Sequence, residues 1–218
     1  MPAPTGQTSR VQSIGLVGGM SWESSAAYYK DLNLGVERRL GGLHSIRTVM
    51  ASVEFAEVTA LGKQGRWDEV AAILVEASLG MERAGADFLM LCTTTFHRVA
   101  DQVEAALTIP LLHLADVVAD ACKAQRLESV AFLGTKLAMS EPFFIDRLAS
   151  HGLEVHVPAP EHHDLLDRVD LASVAPGRMH PDAFVYDFVV GDRSTRVVGS
   201  ELPEELRRLA QLVLADDR

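Results

Sequence analysis

SIGLVGGMSWE, residues 13–23, decides how the rest of the chain is read. Its apolar run closes on Gly18-Gly19, the pattern of a short strand buried on both faces. Ser21 then offers an oxygen to the free N–H groups that open a helix, and Glu23 suits the positive end of its dipole. Strand, tight glycine turn and capped helix together form the opening unit of an α/β protein. The helix is expected to run to Leu40 and stop at Gly41-Gly42.

Working outward, the alternation continues. RTVMAS (47–52) reads as a second strand and DFLMLC (87–92) as a third. Between them, Val70, Ile73, Leu74, Ala77 and Met81 recur at helical spacing over 67–84, with Gly85 ending the run. A helix is expected over about 96–107. The series then restarts: IPLLHL (109–114) as a strand, 115–125 as a helix, ESVAFLGT (128–135) as a strand, 141–151 as a helix and LEVHVP (153–158) as a strand. Two successive β-α series predict an α/β fold of two similar lobes with parallel sheets flanked by helices. The lobes are placed at 1–98 plus about 200–218, and at 99–199.

The pattern weakens after Pro158. Residues 164–169 read as helical and 172–181 as a loop. FVYDFVV (184–190) is ambiguous between strand and helix, and TRVVGS (195–200) reads as a last strand. LPEELRRLAQLVLADD (202–217) reads as a terminal helix, with Pro203 near its start and Leu206, Leu209, Ala210 and Val213 along one side.

The 218 residues carry a net charge of −10, and 48% are hydrophobic. That composition suits a large core and weighs against nucleic-acid binding, which favours a basic surplus. An anionic small substrate stays possible, because local groups dominate a closed site. MPAPTGQTSR lacks the apolar centre of a signal peptide, and no run approaches membrane-spanning length. A cytoplasmic location is therefore expected. Cys92 and Cys122 are the only cysteines, too few for a disulfide framework or a zinc quartet. No metal is expected: adjacent His162 and His163 have no accompanying ligand pattern and read as loop histidines. His113 reads as a satisfied core histidine and Cys122 as a packing residue within its helix.

Parallel sheets bind ligands beyond the carboxyl ends of their strands. Three such ends carry polar turns: GGMSWES (18–24), CTTTFH (92–97) and LGTK (133–136). Each precedes a helix and can offer backbone N–H groups to a carboxylate or phosphate. GLVGGMS lacks the G-x-G-x-x-G spacing of a dinucleotide site, so nicotinamide binding is set aside.

With these turns in hand, the sequence resembles the aspartate/glutamate racemase family. The resemblance is carried by IGLVGGMSWESSAAYYKDLN (14–33), RLGGLHS (39–45), SVEF (52–55), LCTTTFHRVAD (91–101), IPLLHLAD (109–116) and VAFLGTKLAMSEPFFIDRL (130–148). It covers about residues 13 to 158. It implies two lobes facing across a cleft, no cofactor, a small amino-acid substrate and a homodimer. It also implies one proton-transferring residue on each side of the substrate α-carbon, usually both cysteines. A base on one face and an acid on the other are what inversion through a planar carbanion requires.

On the family's first motif the reactive position falls on Thr93, with Cys92 preceding it and turned to the opposite side. Thr94 stands where Asn is usual, Thr95 where Thr is usual, and His97 where the most similar members have His. The second motif, Gly-Cys-Thr-Glu, is absent; VVGSELP (197–203) is its nearest echo and makes Ser200 the second candidate. Substrate contacts are expected from Gly19, Met20, Ser21, Ser52, Glu54, Thr94, Thr95, Gly134, Thr135 and Lys136. Trp22 and Tyr28 are expected to pack on the first helix. Two functions follow as expectations: racemisation or epimerisation of aspartate or glutamate, impaired by the missing thiols, and non-catalytic binding of a dicarboxylic amino acid in the same cleft.

Overall fold

A computed structural model describes residues 12–160 and two later strands, 185–190 and 193–198. The first sheet is built from β1 (Ser13–Gly18), β2 (Arg47–Ser52) and β3 (Phe88–Leu91), in the order β2-β1-β3 and all parallel. Gly18 lies beside Ser52, and Val17 beside Leu91. The ladder runs one step past the strand ends: the Val53 N–H donates to the Gly18 carbonyl at 3.0 Å, and the Cys92 N–H to the Val17 carbonyl at 2.9 Å. The ends of all three strands therefore arrive at one edge.

Side chains alternate across this sheet, as strand geometry dictates. Ile14, Leu16, Met90 and Cys92 pack with Tyr28 and Leu32 of α1 (Trp22–Leu40). Val17, Leu89 and Leu91 join the main cluster, with Val58 of α2 (Phe55–Lys63), Val70, Leu74 and Met81 of α3 (Trp67–Arg83) and Val103 of α4 (Ala100–Ala106). Helix α1 ends as its sequence predicts: Gly41 takes φ +69° and donates its N–H to the Glu37 carbonyl.

The second sheet pairs β4 (Ser129–Ala131) with β5 (Glu154–His156), again in parallel. Its core gathers Ala115, Ala119 and Cys122 of α5 (Leu114–Ala124) with Phe144 and Leu148 of α7 (Pro142–Ser150) and Leu153. The short α6 (Lys136–Ser140) precedes α7. The observed protein is thus α/β, with parallel sheets flanked by helices. Strands β6 (Val185–Val190) and β7 (Arg193–Val198) form a separate antiparallel pair, which resolves residues 185–190 as a strand.

Several boundaries differ from the sequence reading. Residues 109–114 do not form a full strand. A single parallel bridge joins Leu111 to Leu89, and Pro110 supplies a carbonyl to the Leu89 N–H where it has no N–H of its own to give. The helix expected from about 96 begins as a 3-10 turn, Thr95–Val99, before α4. Helix α2 was not anticipated; its nine residues follow β2 directly, capped by Glu54. The expected helices at 164–169 and 202–217, the loop at 172–181, His162 and His163 lie outside the described residues.

Candidate active site

The first turn is fixed by one buried hydroxyl. Ser25 Oγ accepts the Gly19 N–H at 2.9 Å and donates to the Ser21 carbonyl at 2.9 Å. Ser21 caps α1, its side chain accepting from the Ser24 N–H at 3.4 Å. Gly19 adopts φ +90°, and a Cβ there would run into the Val53 backbone, so only glycine suits the position. Met20 is buried. The Gly19 N–H is therefore engaged within the turn itself.

At the end of β3, Cys92 is fully buried among Ile14, Leu16 and Met90, and burial pushes its thiol up to about 12. Thr93, one residue on, is 7% exposed. Thr94 and Thr95 are half-buried. Thr95 Oγ1 lies 3.0 Å from Thr135 Oγ1, which brings the second turn against the third. Thr135 also caps α6 by accepting the Ala138 N–H at 3.3 Å, and Gly134 is buried beside the Phe132 ring.

Ser52 and Glu54 sit at the end of β2, on the same edge, both exposed. Ser52 Oγ lies close to Gly19, while Glu54 is engaged by α2, accepting the Ala56 N–H at 3.2 Å. Lys136 is exposed at the start of α6. The structure therefore gathers the Gly19–Ser21 turn, Ser52 and the 93–95 turn at one edge, and the Gly134–Lys136 turn meets them through Thr95. Ser200 lies outside the described residues. Trp22 does not pack as expected: it is 68% exposed. Its place in the first turn of α1 lifts it off the sheet, whereas Tyr28, nearly two turns later, packs beside Cys92, and burial raises its hydroxyl to about 12.

Behind Thr93 lies a pair of buried imidazoles. His97 Nε2 accepts the Leu114 N–H at 3.2 Å, and His113 Nδ1 accepts the Ala115 N–H at 3.1 Å. Their rings meet edge to face at 4.5 Å, with Phe144 alongside. Burial holds His97 near a pKa of about 3 and His113 near about 4, so both are neutral at physiological pH. Below them, Arg147 makes a two-pronged contact with Asp116 at 2.8 and 2.7 Å, and His151 reaches the same carboxylate at 2.9 Å. The guanidinium hydrogen bonds hold the Asp116 carboxyl well below the usual range.

Sequence reasoning missed Ser25, Arg98 and the pairing of His97 with His113. Arg98 stacks over Trp67, 4.7 Å from the ring centroid, and pairs with Glu141. Only the four-residue spacing of Ser21 and Ser25 on a helix hinted at the first. Among the described residues no cluster of three or more His, Cys, Asp or Glu is placed to hold a metal ion, and no helix is long and apolar enough to cross a membrane.

Comparison with known proteins agrees with this architecture. The family model for Asp/Glu/hydantoin racemases matches residues 17–181. A proposed Asp/Glu racemase from Yersinia pestis is 33% identical, with a TM-score of 0.75 over 94% of this chain and 82% of that one. An aspartate racemase homologue from Pyrococcus horikoshii OT3 is 29% identical, with a TM-score of 0.66 over 75% of this chain and 71% of that one. The aspartate racemase of Picrophilus torridus shares the fold at 14% identity, with a TM-score of 0.58 over 70% of this chain and 65% of that one.

Proposed function

The chain belongs to the Asp/Glu/hydantoin racemase family, and from that premise we propose that it is a cofactor-independent racemase or epimerase of aspartate or glutamate with impaired turnover. The observation that supports this reading is the meeting of the 93–95 turn with the Gly134–Lys136 turn through Thr95 and Thr135, with Cys92 buried against α1. Thr93 would transfer a proton at one face of the substrate α-carbon. Thr93 acts as its alkoxide, having first lost its hydroxyl proton to solvent: the C–H bond breaks as the threonine O–H bond forms, Ser200 as the candidate donor gives its hydroxyl proton to the opposite face of the carbanion and is left as an alkoxide, and proton exchange with solvent resets the pair. Backbone N–H groups of the 19–21 and 93–95 turns, other than that of Gly19, would hold the carboxylates and offset charge developing on them. Lys136 supplies a cation at the third turn. The setting we propose is a cytoplasmic homodimer, with the site between lobes at 1–98 plus about 200–218 and at 99–199.

Two hydroxyls are much poorer bases than two thiolates, since an alcohol ionises far above neutral pH whereas a thiol can be tuned near it. The absence of any cysteine after Cys122 therefore favours a second reading: a binding protein that holds a dicarboxylic amino acid without turning it over. Proton NMR in heavy water separates the two. Incubation with each enantiomer of aspartate and glutamate should wash out the α-proton signal from one enantiomer faster than the other. A folded protein that washes out neither, yet is thermally stabilised by one of them, is the binding protein.

A further inference from the structure

Every atom of the His97 ring is enclosed, yet only one of its nitrogens is served. Nε2 accepts the Leu114 N–H at 3.2 Å, which places the ring proton on Nδ1 in the neutral form. Nδ1 is buried without a hydrogen-bond partner. A buried donor left unserved costs about 1–3 kcal/mol, so it calls for an explanation. The Thr93 carbonyl faces this ring and favours its protonated form.

We propose that His97 is a positioning residue for Thr93: its Nδ1–H is held in reserve for the Thr93 carbonyl, and closing that bond fixes the backbone of residue 93 and with it the direction of the hydroxyl. The ring is suited to this task. His113 at 4.5 Å and Phe144 at 6.1 Å clamp its plane, and the Leu114 amide anchors it to the start of α5. The helix that follows the first motif is thereby tied, through one imidazole, to the elements around the second sheet. Burial keeps the ring uncharged, so it acts as a hydrogen-bond donor of fixed direction rather than as an acid or base. Hydrogen bonds of this kind are often loose without substrate and tighten when the cleft is filled. The inference rests on the reading of Thr93 as the reactive residue only for its effect on activity.

The experiment uses the full chain with ¹⁵N-histidine and ¹³C-methyl threonine. In the wild type, His97 should show a neutral ring protonated at Nδ1 across pH 5 to 8, and three-bond couplings should report one Thr93 rotamer. His97→Gln reproduces a polar atom near Nε2 and should let the Thr93 methyl average between rotamers. His97→Asn reproduces one near Nδ1 and should restore the single rotamer. α-Proton wash-out should fall on the order of a hundredfold in His97→Gln with little change in substrate saturation, and recover in His97→Asn. A ring protonated at Nε2, or an unchanged Thr93 rotamer in His97→Gln, overturns the proposal. If the variants fail to fold, a scalar coupling across the hydrogen bond from His97 Nδ1 to the Thr93 carbonyl carbon in the wild type with aspartate or glutamate bound decides it: its presence supports the proposal and its absence overturns it. If the wild type shows no wash-out but the NMR pattern holds, the racemase reading fails and the positioning role stands.

Discussion

Thr95 and Thr135 meet hydroxyl to hydroxyl at 3.0 Å across 40 residues of sequence, and theirs is the contact that seats the second polar turn on the third. Replacing either by valine keeps the shape and removes the bond. A double-mutant cycle read by urea unfolding should give a coupling of about 0.5–1.5 kcal/mol. Thr135→Val should cost about 1 kcal/mol beyond Thr95→Val, because Thr135 also caps α6. Equal costs and zero coupling would mean that the two turns do not support each other.

Cys92→Ala should leave any α-proton exchange nearly intact while lowering stability by about 1 kcal/mol, as a small void opens beside Tyr28. A thiol held near a pKa of about 12 has almost no thiolate at neutral pH, so a thiol reagent should label Cys92 only as the protein unfolds. Rapid labelling of the native chain, or lost exchange in a folded Cys92→Ala variant, would move the reactive position away from Thr93.

Ser25→Ala removes the acceptor of the buried Gly19 N–H and the donor to the Ser21 carbonyl at once. The expected loss is about 1–3 kcal/mol of stability. Ligand affinity should fall with it, since the turn loses its fixed shape. Calorimetry on the variant with aspartate and glutamate checks the second part; unaltered affinity would show that the first turn does not bind substrate.

Stability should decline on mild acidification. Unfolded histidines titrate near pH 6.5 or so, whereas His97 and His113 are held near about 3 and about 4 in the fold. Above pH ~6.5 both states are neutral there. Below it the unfolded chain takes up protons that the folded chain refuses, so stability is lost by about 1.4 kcal/mol per pH unit for each ring until the folded values are reached. Asp116, held low by Arg147, adds a loss of the same sign only below about pH 4. Urea midpoints at pH 7 and pH 5 should differ clearly in the wild type and less in His113→Asn, which keeps a capping oxygen at the start of α5.

The sequence carried the parts whose physics is local. The glycine turn, the Ser21 cap and the Gly41 stop of α1 follow from residue type and spacing, and the structure shows all three. The burial of Cys92 on the α1 side of the sheet follows from strand alternation. What was illegible depends on distant partners. Trp22 looks like a core residue by type, yet its first-turn position lifts it into solvent. That Glu54 caps a helix was not legible either, because α2 itself was unforeseen. IPLLHL has a strand's composition, but Pro110 limits it to a single bridge. That the His97 and His113 rings meet edge to face could not be read from positions 16 residues apart, because only the fold brings the rings together.

The strand order has a consequence for how the chain comes off the ribosome. β1 is made first but lies in the middle of its sheet, flanked by β2 and β3. Its Ser13 exchanges bonds with Asp87, 74 residues later. At roughly 5–20 residues per second, the apolar segment from Ile14 to Val17 waits about 4–15 seconds for its second neighbour to be synthesised. During that interval it is an adhesive, unpaired strand, and a nascent-chain holdase would find its binding site there.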